Sequence, residues 1–139
     1  MKKYVILLFF PFLFSCNKDR LVNTNQFIPE FSFATIINTN LPLYNNLQFP
    51  SNPVLITDAG VGVKGIIVMK VGTGDYRAYE ASCPNQAPSS CTLLTINGIN
   101  AKCPCDNVEY SLFTGIGAGQ FPLKAYKVEV LGANLRVYN

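Results

Sequence analysis

Two short cysteine loops constrain this chain more than any other feature. They read Cys83-Pro84-Asn85-Gln86, with Cys91 following, and Cys103-Pro104-Cys105-Asp106-Asn107. Each starts where a strand-like run stops, so a sheet beneath would hold it rigidly, as a cofactor or covalent site requires. The 139 residues contain no histidine. That removes the commonest metal ligand and the side chain best suited to proton transfer near neutral pH.

Around the loops the sequence is punctuated for short strands. Candidates are residues 31–37, 54–56, 65–71, 76–79, 93–96, 99–102, 125–131 and 135–138, most of them bounded by Gly, Asn or Asp. Gly72-Thr73-Gly74-Asp75 and Gly132-Ala133-Asn134 read as hairpin turns, and Asn97-Gly98 as the centre of a type I' turn. Residues 41–53 carry Pro42, Pro50 and Pro53 and form an irregular crossing. No long amphipathic helix and no internal repeat is present, so the expected class is all-β.

The first sixteen residues read as a targeting segment. Lys2 and Lys3 precede an apolar run over residues 4–14 that is too short to span a bilayer. Leu13-Phe14-Ser15-Cys16 resembles the lipobox of bacterial lipoproteins, which makes Cys16 a lipid anchor and the membrane its first partner. Asn17-Lys18-Asp19-Arg20 resembles the tether that follows the lipid cysteine in Bacteroidetes surface lipoproteins, and a plain solvated linker reads as well. The expected organisation is a signal peptide over 1–16, a tether over 17–30 and one β domain over 31–139. The expected location is the cell envelope, as an outer-membrane lipoprotein. About 123 residues then remain for one core. Without Lys2 and Lys3 the mature chain has nine basic and eight acidic side chains, which gives no basis for nucleic-acid binding.

The two cysteine loops resemble the cluster loops of the Rieske iron-sulfur family, Cys-x-His and Cys-x-Cys-His-Gly. Tyr110-Ser111-Leu112-Phe113-Thr114-Gly115 resembles the family's aromatic-then-Gly segment. Residues 117–128 resemble its Gly-Pro-Ala-x-x-Pro-Leu-x-x-Tyr-x-Val stretch, the covering loop and the entry to the last hairpin. The resemblance spans roughly residues 54–139. It implies an antiparallel β sandwich or barrel with a smaller inserted subdomain of the cluster-binding type. It also places Cys83, Asn85, Cys103 and Asp106 at the ligand positions of a [2Fe-2S] cluster. A Rieske centre takes two Cys on one iron and two His on the other; here Asn85 and Asp106 stand where the two imidazoles belong. Asn107 replaces the next Gly and Ala118 the covering Pro. Cys91 and Cys105 match the family's bracing disulfide, although Cys91 follows Cys83 by eight residues where the family has five.

Four cysteines in an exported domain favour two disulfides. The resemblance implies Cys91 with Cys105, and Cys83 with Cys103, the two former iron ligands. The reading that follows is a degenerate Rieske-like domain with no metal and no cofactor. It is expected to be a non-catalytic binding or structural module for an envelope protein or other ligand. The alternative is an electron-transfer protein whose [2Fe-2S] cluster has non-histidine ligands, with Asp106 supplying an oxygen. The export signal has no Arg pair for twin-arginine export, the route by which a cluster assembled in the cytoplasm would cross in a folded protein. A zinc site is disfavoured because Cys103-Pro104-Cys105 lacks the two-residue gap of zinc knuckles. A thiol-disulfide exchanger built on Cys103 and Cys105 is a third reading, again with one residue where redox motifs have two. No catalytic residues are expected: Gly115-Ile116-Gly117-Ala118-Gly119 precedes no helix that would make it a phosphate loop. Asp106 has no visible nucleophile beside it, and the tyrosines at strand spacing read as core.

Overall fold

The computed structural model describes residues 25–139. The signal segment 1–16, the lipid site Cys16 and the tether through residue 24 lie outside the described residues. Nine strands follow in order: β1 (Ala34–Asn38), β2 (Val54–Ile56), β3 (Ile66–Gly72), β4 (Asp75–Glu80), β5 (Thr95–Asn97), β6 (Asn100–Lys102), β7 (Glu109–Ser111), β8 (Ala125–Leu131) and β9 (Asn134–Tyr138). Six form a curled antiparallel base sheet, ordered β1-β9-β8-β4-β3-β2, and β5-β6-β7 form a smaller sheet inserted between β4 and β8. The all-β, Rieske-like architecture is therefore the observed one.

The apolar run in β3 explains why the base coheres. Its residues are buried on both faces, Ile66 and Val68 in one core cluster and Ile67 and Met69 in the other. Alternate residues of a strand point to opposite sides, so one strand serves two cores. The first cluster gathers Ile37, Leu47, Ala78, Tyr126, Leu135 and Val137. The second joins the base to the small sheet through Tyr79, Leu94, Ala101, Tyr110, Leu112 and both Cys83 and Cys103.

Glu80, at the end of β4 and fully buried, ties the base to the chain leaving for the cysteine loops. Its carboxylate accepts from the backbone N–H of Val63 (2.7 Å), Lys64 (2.9 Å) and Ser82 (3.1 Å), and from the Tyr126 hydroxyl (2.6 Å). Four donors are what a buried carboxylate needs in place of water. Tyr126 in turn is held far toward its protonated form, first by burial and then by the charge and hydrogen bond of Glu80.

Three sequence expectations change. β7 is an added strand: Glu109–Ser111 is too short to show an alternation, and pairing with β6 specifies it instead. The first strand starts at Ala34, because Phe31 and Phe33 stack on each other and Phe33 packs edge-on against Tyr126. The β5–β6 turn centres on Gly98-Ile99, with Asn97 paired to Asn100. Positive φ falls on Gly98 (60°) and not on Asn97, which is the type II' arrangement with glycine at the first central position.

Candidate functional site

The cysteine loops meet at one end of the small sheet. Cys83 follows β4 and Cys103 follows β6, and the two are bonded to each other with Cα atoms 5.6 Å apart. Cys91 is bonded to Cys105, with Cα atoms 5.3 Å apart. The inner bridge, Cys83–Cys103, is fully buried in the junction core. The outer bridge has an exposed Cys91 and a half-buried Cys105. The bridges lie side by side, since the sulfurs of Cys83, Cys103 and Cys105 all fall within 4.8 Å of one another.

Backbone hydrogen bonds fix both loops. Cys83 N–H donates to Thr92 O (2.8 Å), and Cys103 N–H to Val108 O (2.9 Å). The second loop closes as Asn107 N–H donates to Cys103 O (2.9 Å), with Asn107 at φ 60°. Left-handed backbone is tolerated by Asn better than by other residues with a side chain, so Asn107 serves where the family pattern has Gly.

Asn85 and Asp106, which the resemblance matches to imidazole positions, are both engaged in internal hydrogen bonds. Asn85 Nδ2 donates to the Tyr110 hydroxyl (2.7 Å) and to Phe121 O (3.2 Å), while Asn85 Oδ1 accepts from Phe121 N–H (2.8 Å). Its amide therefore clamps the covering loop. Gly119 is required there, since a Cβ would collide with Asn85 Nδ2 and the Tyr110 hydroxyl. Asp106 turns elsewhere: one oxygen accepts from Gln86 Nε2 (3.0 Å), linking the two loops, and the other from Val108 N–H (3.0 Å). Burial raises the pKa of Tyr110, the Asn85 bond lowers it in part, and the Asp106 charge adds to the rise. The hydroxyl stays protonated at neutral pH.

Sequence reasoning missed Tyr110, Phe121 and Asn25 as parts of this site. Tyr110 was read as core and as part of the aromatic-then-Gly segment, without a partner for its hydroxyl; that partner lies 25 residues distant. Residues 25–30, expected to belong to the tether, pack on the domain. Asn25 and Ile28 are buried, Asn25 Nδ2 donates to Pro84 O (2.7 Å), and Phe27 meets Phe121 edge-on. Buried Lys124 pairs with Glu30 at 3.2 Å. A polar, Asn-rich stretch without a sustained period gave no sign of this docking.

No protein-family model and no curated protein matches the chain. Among solved structures, it is similar to an oxygenase–ferredoxin complex of carbazole 1,9a-dioxygenase, at 11% identity and a TM-score of 0.50. That match covers 82% of this chain and 30% of that one. A second structure, a complex of reduced oxygenase and oxidised ferredoxin in the same system, matches at 19% identity and a TM-score of 0.49, covering 79% of this chain and 94% of that one. The cyanobacterial plasma-membrane Rieske protein of Synechocystis PCC 6803 matches at 20% identity and 0.47, covering 61% and 84%. Identities this low speak to the fold alone.

The expectation of no metal and no cofactor is corrected by the sulfur geometry. The sulfurs of Cys83, Cys103 and Cys105 lie within 4.8 Å of one another, close enough to share a metal ion once their bridges are reduced. Pairing Cys91 with Cys105 in a brace had set Cys105 apart from the ligand positions, whereas the brace stands against them. The histidine-ligated cluster of the family is a separate matter, and the residues present do not fit it. Both cysteine ligands are spent on each other, the Asn85 amide is committed to Tyr110 and Phe121, and Asp106 bonds Gln86 and its own loop.

Proposed function

We propose that this chain is a lipid-anchored electron-transfer protein of the cell envelope, in which the redox-active atoms are the sulfurs of the tip. The observation that carries the reading is the stacking of an exposed disulfide against a buried one at the place where the loops of this fold converge. The neighbours that share the fold include an oxygenase–ferredoxin complex and a Rieske protein, which favours electron transfer over a purely structural or ligand-binding module. The protein is proposed as a carrier, without a substrate of its own to transform.

The chemistry is that of thiol-disulfide exchange. A dithiol donor in thiolate form attacks the exposed Cys91 sulfur, the Cys91–Cys105 bond breaks, and the electron pair leaves on Cys105. The donor's second thiol then displaces Cys91 and departs as a disulfide, oxidised by two electrons. The Ser89 hydroxyl, 3.5 Å from Cys91 Sγ, is placed to hydrogen-bond a thiolate there. Attachment at Cys16 would hold the exchange site near a membrane surface, since Asn25 and Phe27, not far along the chain from it, dock at the tip.

The test is an equilibrium titration of the folded, full-length protein in dithiol–disulfide buffers, with free thiols counted by alkylation and mass. Reversible appearance of two and then four thiols supports the reading. Bridges that open only after denaturant is added would overturn it. Material purified anaerobically from native envelopes, brown and carrying about two irons per chain, would replace it with a cluster-based carrier.

A further inference from the structure

We infer that Cys105 is a relay nucleophile that moves reducing equivalents from the outer bridge to the inner one. The inference rests on the thiol-disulfide reading above and assigns the internal step. The starting point is an asymmetry of access. Both sulfurs of Cys83–Cys103 are buried, so an external dithiol cannot reach them in the folded protein. Cys105 Sγ lies within 4.8 Å of each.

Once Cys91 has been attacked and Cys105 released, the Cys105 thiolate faces the buried bridge at a distance that only a small loop movement must close. Such confinement replaces a bimolecular encounter that burial forbids. The attack is assigned to Cys83. A Cys83–Cys105 bond forms, the Cys83–Cys103 bond breaks, and the electron pair leaves on Cys103. Attack on Cys103 instead would close a tight ring around Pro104 alone. No electrons are gained or lost in this exchange: the pair of thiols changes from Cys91 and Cys105 to Cys91 and Cys103, and one reducing equivalent of thiol now sits in the core. A second dithiol can then open the Cys83–Cys105 bond at its half-buried Cys105 end. Run backwards, the same steps deliver thiols from the core to a disulfide acceptor.

The fold prepares the step. Cys103 and Cys105 are carried on one tight loop whose closing hydrogen bond, Asn107 N–H to Cys103 O, fixes the shared backbone. The Gln86–Asp106 bond pins that loop to the one bearing Cys83. The nucleophile and its target are thus held from both sides while their sulfurs remain unbonded to each other.

The experiment uses the full-length oxidised protein, limiting dithiothreitol, rapid acid quench, alkylation and disulfide mapping by peptide mass. The relay predicts a transient Cys83–Cys105 peptide with Cys91 and Cys103 alkylated. In Cys105→Ser, opening of Cys83–Cys103 under folding conditions should slow by about tenfold or more. An unchanged rate, or the absence of any Cys83–Cys105 species in the wild-type chain, overturns the relay. Because Cys105→Ser also removes the outer bridge, Cys91→Ser supplies an independent arm with Cys105 retained. There the oxidised protein should hold a mixture of Cys83–Cys103 and Cys83–Cys105 without any reductant, and Cys83–Cys103 alone with a free Cys105 contradicts the inference. If dithiothreitol opens neither bridge of the folded wild-type protein, the thiol-disulfide reading itself has failed. If it opens the outer bridge and Cys105 never joins Cys83, only the relay has failed.

Discussion

In the base sheet, β3 buries Ile66 and Val68 on one face and Ile67 and Met69 on the other. At the tip, by contrast, β5 exposes all three of its residues, and beyond the junction core the loops are tied by two disulfides and the three hydrogen bonds of Asn85. Apolar burial scales with surface removed from water and tolerates small shifts. Covalent bridges and directed hydrogen bonds do not, but a bridge can be opened and closed by chemistry that leaves the burial untouched. The molecule therefore keeps a passive scaffold and a reactive tip in one chain.

The contrast can be broken most severely at Glu80. Glu80→Ala leaves the buried Ser82 N–H, the part-buried N–H groups of Val63 and Lys64, and the Tyr126 hydroxyl without an acceptor. It should cost about 3–5 kcal/mol of unfolding free energy in a denaturant titration. A loss no larger than that of an ordinary surface substitution would mean that the base does not depend on this buried network.

Removing the inner bridge, as Cys83→Ala with Cys103→Ala, should cost about 2–4 kcal/mol. Amide hydrogen exchange should then accelerate in β5 to β7 more than in β8 and β9, because the bridge joins loops at the tip. Equal acceleration in both sheets would dissolve the distinction between scaffold and tip. Asn85→Ala, which releases the covering loop from Tyr110 and Phe121, should cost about 1–3 kcal/mol in the same assay. It should also raise proteolytic cleavage near Phe121.

Alkaline pH sharpens the comparison further. The Tyr126 hydroxyl ionises less readily in the folded chain than at its ordinary value of 10, chiefly through burial and then through Glu80. The unfolded chain therefore releases that proton first as pH rises. The stabilisation is fully present below pH 10 and is lost as pH climbs above it. Stability measured between pH 9 and 11 should fall less steeply in Tyr126→Phe than in the wild type. The smallest effect is expected for Asn107→Gly. It relieves a left-handed residue at φ 60° and should change stability by about 0.5 kcal/mol or less. A loss above about 1 kcal/mol would show that the Asn107 side chain has a role beyond its backbone.

The scaffold was legible in the sequence because strand periodicity and turn residues are local signals. The runs at 54–56 and 65–71 and the final hairpin follow from them directly. β7 was not legible, since three residues carry no period and only the β6 partner gives them a place. At the tip, the two disulfide pairings were within reach because the family resemblance implied them. What the other side chains there do was not, because Asn85 finds Phe121 36 residues away and Asn25 finds Pro84 59 residues away. The proximity of Cys105 to the inner bridge was hidden for the same reason: it is a property of two loops brought together by separate strands.

The central claim is tested most directly by carbon-13 resonances of the four cysteine Cβ atoms, followed in the folded full-length protein as a dithiol buffer is made more reducing. Disulfide-type shifts should convert reversibly to thiol-type shifts at Cys91 first and at Cys83 last, while the amides of β3, β8 and β9 keep their positions. Cysteine shifts that move only when those base amides collapse, or that are broadened by bound iron from the outset, would contradict a tip that carries electrons on sulfur.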